Sequence, residues 1–391
     1  MTLSSERDDR AGGELVRSLL DSGALTDDWA ETFRAVPRAW FLPDLVWVYD
    51  MGTGRSVPVS RVEEPDAWER AAYANVPLVT QWDDGRHSGA EPGVVATSSA
   101  SMPSVVAAML RDLDVRDGMR VLEIGTGTGW NAALLAHRLG GGNVASVEID
   151  AEVVARARTA LARVGLGPEV VHGDGRDGWP GPAPYDRVIA TAGVRALPPR
   201  WLAQTRPGGV VLAPWGTHYS DQDALLRLTV GDDGGAEGPF LRMVEFMKLR
   251  DQRLDWDRFR AYVPAGPDFP GDADVSRTTL TLGDLGGRYE SVRFVAGLRV
   301  PDCAHVVNRT GEAAGKAWFF DLGGGRSWAV AEFRAGETAS TVHQSGPRRL
   351  WDEVEAAVTW WAGRGRPGVE RFGLTVGPDG SARSWGGGDG T

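Results

Sequence analysis

Val121-Leu-Glu-Ile-Gly-Thr-Gly-Thr-Gly129 is a short apolar run ending in a turn with glycine at alternate positions. A helical pattern through Leu134, Leu135 and Leu139 follows it. A strand entering a helix through glycines lets backbone N–H groups approach a polar or anionic ligand with no Cβ in the way. Alone, the motif suits a nucleotide-type ligand or a tight turn that binds nothing.

The pattern repeats downstream. The residues predict strands over 144–149, 169–172, 185–191 and 209–213, with helices over 151–163 and 198–205 between them. Strands alternating with helices of this length imply an α/β fold with a doubly wound, Rossmann-like parallel sheet. Segments 224–230 and 240–249, separated by Gly231-Asp-Asp-Gly-Gly235, read as an antiparallel hairpin on its edge. Upstream, helical spacing recurs around Leu15–Leu20, over 27–36 and over 104–113, whereas 41–95 looks irregular. Downstream, hairpin signals at Gly323-Gly-Gly325 and Pro378-Asp-Gly380 flank a helix through Leu350 and Trp361. The expected units are an N-terminal helical and irregular segment with a lid (1–95), a core (96–250) and a C-terminal α+β accessory domain (251–391).

Composition narrows the function. With 42 basic and 53 acidic residues the net charge is −11, which argues against a protein that tracks nucleic-acid phosphates. The single cysteine, Cys303, excludes a disulfide framework and a Cys-rich zinc site, and the six histidines lack metal-ligand spacing, so no metal is assigned. No signal-peptide pattern and no membrane-length apolar run is present, so a cytoplasmic protein off the membrane is expected.

Glu148, about twenty residues beyond the glycine turn, suits both hydroxyls of a ribose. Asp174, in His172-Gly-Asp-Gly175, suits the exocyclic amine of adenine. A dinucleotide site more typically spaces its glycines G-x-G-x-x-G, and Trp130 breaks that spacing. An adenosine pocket is the expectation, with S-adenosylmethionine as the ligand.

The glycine motif, Gly173-Asp-Gly-Arg-Asp-Gly-Trp179, Ala183-Pro-Tyr-Asp186, Thr191-Ala-Gly193, Ala72-Tyr-Ala-Asn-Val-Pro-Leu78 and Ser101-Met-Pro103 together resemble the protein-L-isoaspartate O-methyltransferase family. The resemblance implies a class I methyltransferase core. It implies cofactor roles for Glu123, Gly125, Thr126, Gly127, Thr128, Gly129, Asn131, Glu148, Asp174, Gly175 and Gln222. It makes Ser101 the active-site serine, the alternative being a helix N-cap. Methyl transfer to a carboxylate ionised at neutral pH needs no general base, in keeping with the lack of a His/Asp dyad.

Two features depart from the repair enzymes of that family. The segment Val79–Pro92 enlarges the lid, and about 140 residues follow the core. Both resemble homologues associated with ribosomally synthesised peptides, in which an aspartate of a macrocyclic precursor becomes an aspartimide or isoaspartate. That resemblance implies a cyclised peptide as partner. Trp82, Asp83, Asp84, Ser98 and Ser99 are the expected substrate contacts; Gln81–Gly85 equally suits a surface turn around one packed Trp. The C-terminal tryptophans, Trp256, Trp318, Trp328, Trp351, Trp360, Trp361 and Trp385, are expected to be mostly core, with one or two lining a peptide groove. A housekeeping repair enzyme and a catalytically silent peptide-binding module are the competing readings.

Overall fold

The computed structural model describes residues 3–254, 262 and 270–386; Trp256 lies outside them. Helices α1 (Leu3–Asp21) and α2 (Asp27–Ala35) lead into an antiparallel sheet: β1 (Leu45–Asp50), β2 (Arg55–Ser60), then α3 (Pro65–Tyr73), β3 (Leu78–Trp82) and β4 (Ala96–Ala100), ordered β2-β1-β3-β4. The stretch that looked irregular therefore holds three strands and a helix. Its strands were hidden because β2 contains Pro58 and is nowhere fully buried, so it lacks a clean alternation. The sheet also crosses the expected boundary at residue 95, since β4 pairs with β3.

Helix α4 (Pro103–Leu113) opens the core, followed by β5 (Val121–Ile124), α5 (Trp130–Leu139), β6 (Val144–Glu148), α6 (Ala151–Arg163) and β7 (Glu169–His172). Then come β8 (Tyr185–Ala190), α7 (Pro199–Ala203), β9 (Thr205–Trp215), β10 (Asp223–Val230) and β11 (Ala236–Val244). Strands β7, β6, β5, β8 and β9 are parallel neighbours in that order, with β10 and β11 antiparallel beyond them. All four residues of β5 are buried, the continuous burial expected of a strand covered on both faces. Chain order reverses between β5 and β8, the crevice where open α/β sheets bind ligands. This is a class I methyltransferase fold.

Trp130 anchors the N-terminal helices onto this core. Its ring meets Phe33 edge to face at 5.5 Å and its Nε1 donates to the Val36 carbonyl at 2.9 Å. The residue that breaks the dinucleotide spacing is thus a core residue, 3% exposed.

The expected third unit is divided between two sheets. Strand β12 (Asp274–Thr278), helix α8 (Ser291–Arg299), β13 (Cys303–Arg309), β14 (Gly315–Asp321), β15 (Trp328–Phe333), β16 (Ser340–Ser345) and α9 (Leu350–Gly363) form a five-stranded sheet, ordered β12-β16-β15-β14-β13, with its two helices. The last hairpin, β17 (Phe372–Val376) and β18 (Ala382–Gly386), instead pairs with β11 and extends the core sheet to nine strands. Trp351 is fully buried and Trp328 nearly so. None of the six described C-terminal tryptophans lines the cleft described below. Among the described residues no helix is long and apolar enough to cross a membrane, and no His/Cys/Asp/Glu group has metal-site geometry.

Candidate functional site

A cleft of about 1210 Å³ opens at the carboxyl ends of β5, β6 and β8. Glu123, Gly125, Thr126, Gly127, Thr128, Asn131, Glu148, Asp174 and Gly175 line one side, and the whole stretch 94–102, including Ser98, Ser99 and Ser101, faces them. Gly125 sits at φ 93°, and a Cβ there would lie 2.8 Å from Thr191 Oγ1, so both conformation and space require glycine.

The acids are held by the turn itself. Glu148 accepts from the Gly127 N–H at 3.0 Å and the Asp150 N–H at 3.1 Å. Burial lifts its carboxyl above the usual range while those bonds act the other way. No described Lys or Arg pairs with it. Glu123 is fully buried, accepting from Asn131 Nδ2 at 2.7 Å and from Ser146 Oγ, and burial pushes its carboxyl up to about 7. Asn131 thereby positions Glu123. Asp174 lies in the cleft, yet Arg176 Nη2 holds it at 2.8 Å and keeps its carboxyl below the usual range.

These residues suit S-adenosylmethionine. A cation-free carboxylate at the end of β6 fits ribose hydroxyls, and the glycine turn leaves an uncluttered backbone for the aminoacyl end. Three expected contacts fall elsewhere. Gly129 caps α5 and packs on Ala157 of α6, where a Cβ would meet Ala157 Cβ at 3.3 Å. Gln222 is buried outside the lining, with Nε2 3.4 Å from Glu245. Trp82 is 9% exposed and packs edge to face on Trp47 at 6.0 Å, serving the lid's own core.

Ser101 lines the cleft, and its Oγ has no hydrogen bond among the described residues. The N-cap position of α4 is Met102, without a side-chain cap, so Ser101 is not the helix cap. Buried Arg38 fixes it from behind, donating to the carbonyls of Ala72, Ala74, Val76, Ala100 and Ser101 at 2.8–3.3 Å. Burial without a carboxylate partner brings the Arg38 pKa down to about 9. Ser98, nearly buried, accepts from Thr80 Oγ1 at 3.2 Å. The Ser99 carbonyl faces Gly127.

The lid is tied across the cleft. Asp83 and Asp84 adopt φ of 52° and 54°, left-handed values that Asp tolerates better than most residues. The Asp83 carboxylate accepts from the N–H groups of Val94 at 3.0 Å and Val95 at 2.8 Å, closing the inserted loop. Asp84 pairs with Arg250 at 3.1 Å and Arg253 at 2.9 Å; Arg250 also reaches Asp150 at 3.4 Å. Both acids line the cleft as expected, but their oxygens are committed to the lid's geometry. Since the Asp84 pairs are part-exposed, Asp84→Ala is expected to cost less than about 1 kcal/mol of stability. Hydrogen exchange over residues 79–97, read by mass spectrometry, should nevertheless rise. Unchanged exchange would mean that the Trp47–Trp82 packing alone holds the lid.

A second tie comes from the C-terminal part. Arg288 forks onto Glu245 at 2.8–3.0 Å, reaches Tyr49 Oη at 2.7 Å and donates to the Met51 carbonyl at 3.0 Å. Tyr289, at φ 66°, donates to Glu245 at 3.1 Å. Arg38, Arg250, Arg253, Arg288 and Tyr289 were not singled out in the sequence. Each is a lone residue whose partners are brought to it by the fold.

The family described as protein-L-isoaspartate(D-aspartate) O-methyltransferase (PCMT) matches residues 58–254, half of the chain. Among curated proteins of that name, the one from Thermococcus onnurineus is 33% identical over 186 residues, 46% of this chain and 82% of the relative. The one from Anaeromyxobacter dehalogenans is 45% identical over 153 residues, 38% of this chain and 71% of the relative. That from Pyrococcus horikoshii is 41% identical over 142 residues, 36% of this chain; the match spans 64% of the relative, just under two thirds of its length. A solved chain named protein-L-isoaspartate O-methyltransferase superposes with a TM-score of 0.55 at 24% identity, covering 96% of this chain and 99% of that one. With the glycine turn, the two strand-end acids and the serine segment lining one cleft, the chain belongs to the protein-L-isoaspartate O-methyltransferase family.

Proposed function

We propose that this chain is an S-adenosylmethionine-dependent O-methyltransferase that esterifies an aspartyl carboxylate of a peptide. In its finer form, the acceptor is an aspartate of a macrocyclic ribosomal peptide. The carrying observation is that Glu148, the glycine turn and the unengaged hydroxyl of Ser101 share one cleft. When bound, the sulfonium supplies an electrophilic methyl group. Glu148 would hold the ribose, the open backbone surface of the glycine turn would receive the aminoacyl end, and Ser101 would orient the acceptor carboxylate by donating a hydrogen bond. The roof formed by 83–101 excludes water, and the rate gain comes from positioning rather than from proton transfer. The next residue's amide nitrogen then attacks the ester carbonyl, methanol leaves, and the resulting succinimide hydrolyses to aspartate and isoaspartate.

The macrocyclic reading is supported by the enlarged lid and by Arg288, which ties Glu245 to Tyr49 at the cleft's lining. The repair reading is supported by the solved chain of that name, whose fold extends over nearly all of this one. Incubation with a ring-closed aspartyl peptide and with a linear isoaspartyl hexapeptide separates the two. Gain of methyl mass followed by loss of methanol on the ring, with little transfer to the hexapeptide, is the expected result. Efficient turnover of the hexapeptide would assign the protein to repair.

A further inference from the structure

The cations of the cleft differ in one respect. Arg242 pairs with Asp112, Lys248 with Asp223, Arg250 and Arg253 with Asp84, Arg288 with Glu245, and exposed Arg86 approaches Asp84 at 3.9 Å. Arg195 lines the same cleft and has no carboxylate within ion-pair distance among the described residues. Its guanidinium is nonetheless fixed: Nε donates to the Gln252 carbonyl at 3.1 Å and Nη1 to the Thr217 carbonyl. Nη2 has no partner among the described residues, and it is not one of the buried unsatisfied atoms.

The backbone beneath it is rigid. The Arg195 and Ala196 N–H groups both donate to Gln252 Oε1, at 2.6 and 3.0 Å. The Gly193 and Val194 N–H groups donate to the Met247 and Pro214 carbonyls at 2.8 Å each. Gly193 is hemmed in by the Lys248–Asp223 pair, for an added Cβ would lie 2.6 Å from Asp223 Oδ2. This segment leaves β8 at Thr191, whose Oγ1 bonds back to the Ile124 carbonyl at 3.2 Å and to that of Gly125. A preorganised guanidinium thus stands four residues beyond the glycine turn's own hydrogen-bond partner. Burial disfavours its charge, the more distant Asp223 and Asp221 carboxylates offset that only in part, and a bound anion would offset more of it.

We propose that Arg195 is a second acceptor-binding residue of this cleft beside Ser101, its free Nη2 gripping one oxygen of the substrate carboxylate; the inference rests on the carboxyl-methyltransferase reading above. The second oxygen remains available as nucleophile. Its lone pair forms the O–CH3 bond as the S–CH3 bond breaks, that electron pair staying on sulfur, and no proton moves. The ester is neutral, so it loses the charge-assisted bond to Arg195 and leaves more readily than the carboxylate binds. Arginine holds its charge throughout the neutral range, so this preference does not vary with pH there.

The test compares wild type, Arg195→Ala and Arg195→Lys on both the ring-closed aspartyl peptide and the isoaspartyl hexapeptide. Calorimetry with adenosylhomocysteine runs in parallel. Loss of a charge-assisted bond should raise the KM of Arg195→Ala by about tenfold or more, with kcat within a few-fold and adenosylhomocysteine affinity unchanged. Millimolar guanidinium ion should recover part of the lost affinity in Arg195→Ala and do nothing for wild type. Arg195→Lys, which keeps the charge, should fall between the two. A KM within twofold of wild type would overturn the inference alone, as would a KM rise that guanidinium leaves unchanged. A folded wild type that binds adenosylhomocysteine yet methylates neither peptide would sink the carboxyl-methyltransferase reading and this inference with it.

Discussion

Replacing Arg38 with methionine should destabilise the protein by about 3–5 kcal/mol: buried carbonyls left without a donor cost about 1–3 kcal/mol each, and the relieved desolvation of the guanidinium offsets part of that sum. Arg38 is 1% exposed and satisfies five backbone carbonyls from two segments, Ala72–Val76 and the Ala100–Ser101 step. Methionine matches much of its volume but donates nothing, so those carbonyls would stay buried without partners. A surface Arg→Met change moves stability by about half a kcal/mol. Denaturant midpoints at constant m-value separate the two cases. Because two of the bonds hold Ala100 and Ser101, the folded fraction should also lose turnover, while the glycine turn keeps its affinity for adenosylhomocysteine. A midpoint within about 1 kcal/mol of wild type would show that water takes over the role of the guanidinium.

Glu148→Ala should weaken adenosylhomocysteine binding about 10- to 100-fold, the worth of hydrogen bonds to a charged acceptor. Stability should move less. The side chain accepts from the backbone N–H groups of Gly127 and Asp150, and burial disfavours its charge, so removing it relieves a desolvation cost. Glu148→Gln tests the same point more gently, since an amide keeps one acceptor and adds a donor the ribose hydroxyls must answer. Isothermal calorimetry reads both variants. Unchanged affinity in Glu148→Ala would remove the ribose role from this residue and leave the turn alone to hold the cofactor.

The parallel half of the core sheet was legible because its inner strands are short, almost continuously buried runs and strands alternate with helices. Val121–Ile124 and Glu169–His172 were read with their observed bounds, and the helix over 151–163 matches α6. The sheet β2-β1-β3-β4 was not legible, since its strands are short, part-exposed and interrupted by Pro58. The hairpin of β17 and β18 was recognisable from Pro378-Asp-Gly380, but its docking on β11 was not, because pairing Ala236 with Val376 depends on the tertiary fold. The site divides the same way. Glu123, Glu148 and Gly125 sit in a contiguous motif or at a fixed distance from it. Arg38, Arg195 and Arg288 carry no motif, and the Arg288–Tyr49 bond joins residues 239 positions apart. Gln222 and Gly129 match the family pattern but lie outside the cleft's lining, Gln222 bonded to Glu245 and Gly129 packed on Ala157.

The central claim is that a methyl group passes from sulfur to a carboxylate oxygen within this cleft. The most direct measurement incubates the protein with S-adenosylmethionine labelled in its methyl group and with the two peptides, then exposes the products to mild base. The account expects peptide-bound label that base releases quantitatively as methanol, as a carboxyl methyl ester must. No incorporation into either peptide, or label that survives base as an N- or ether-linked methyl does, would contradict it.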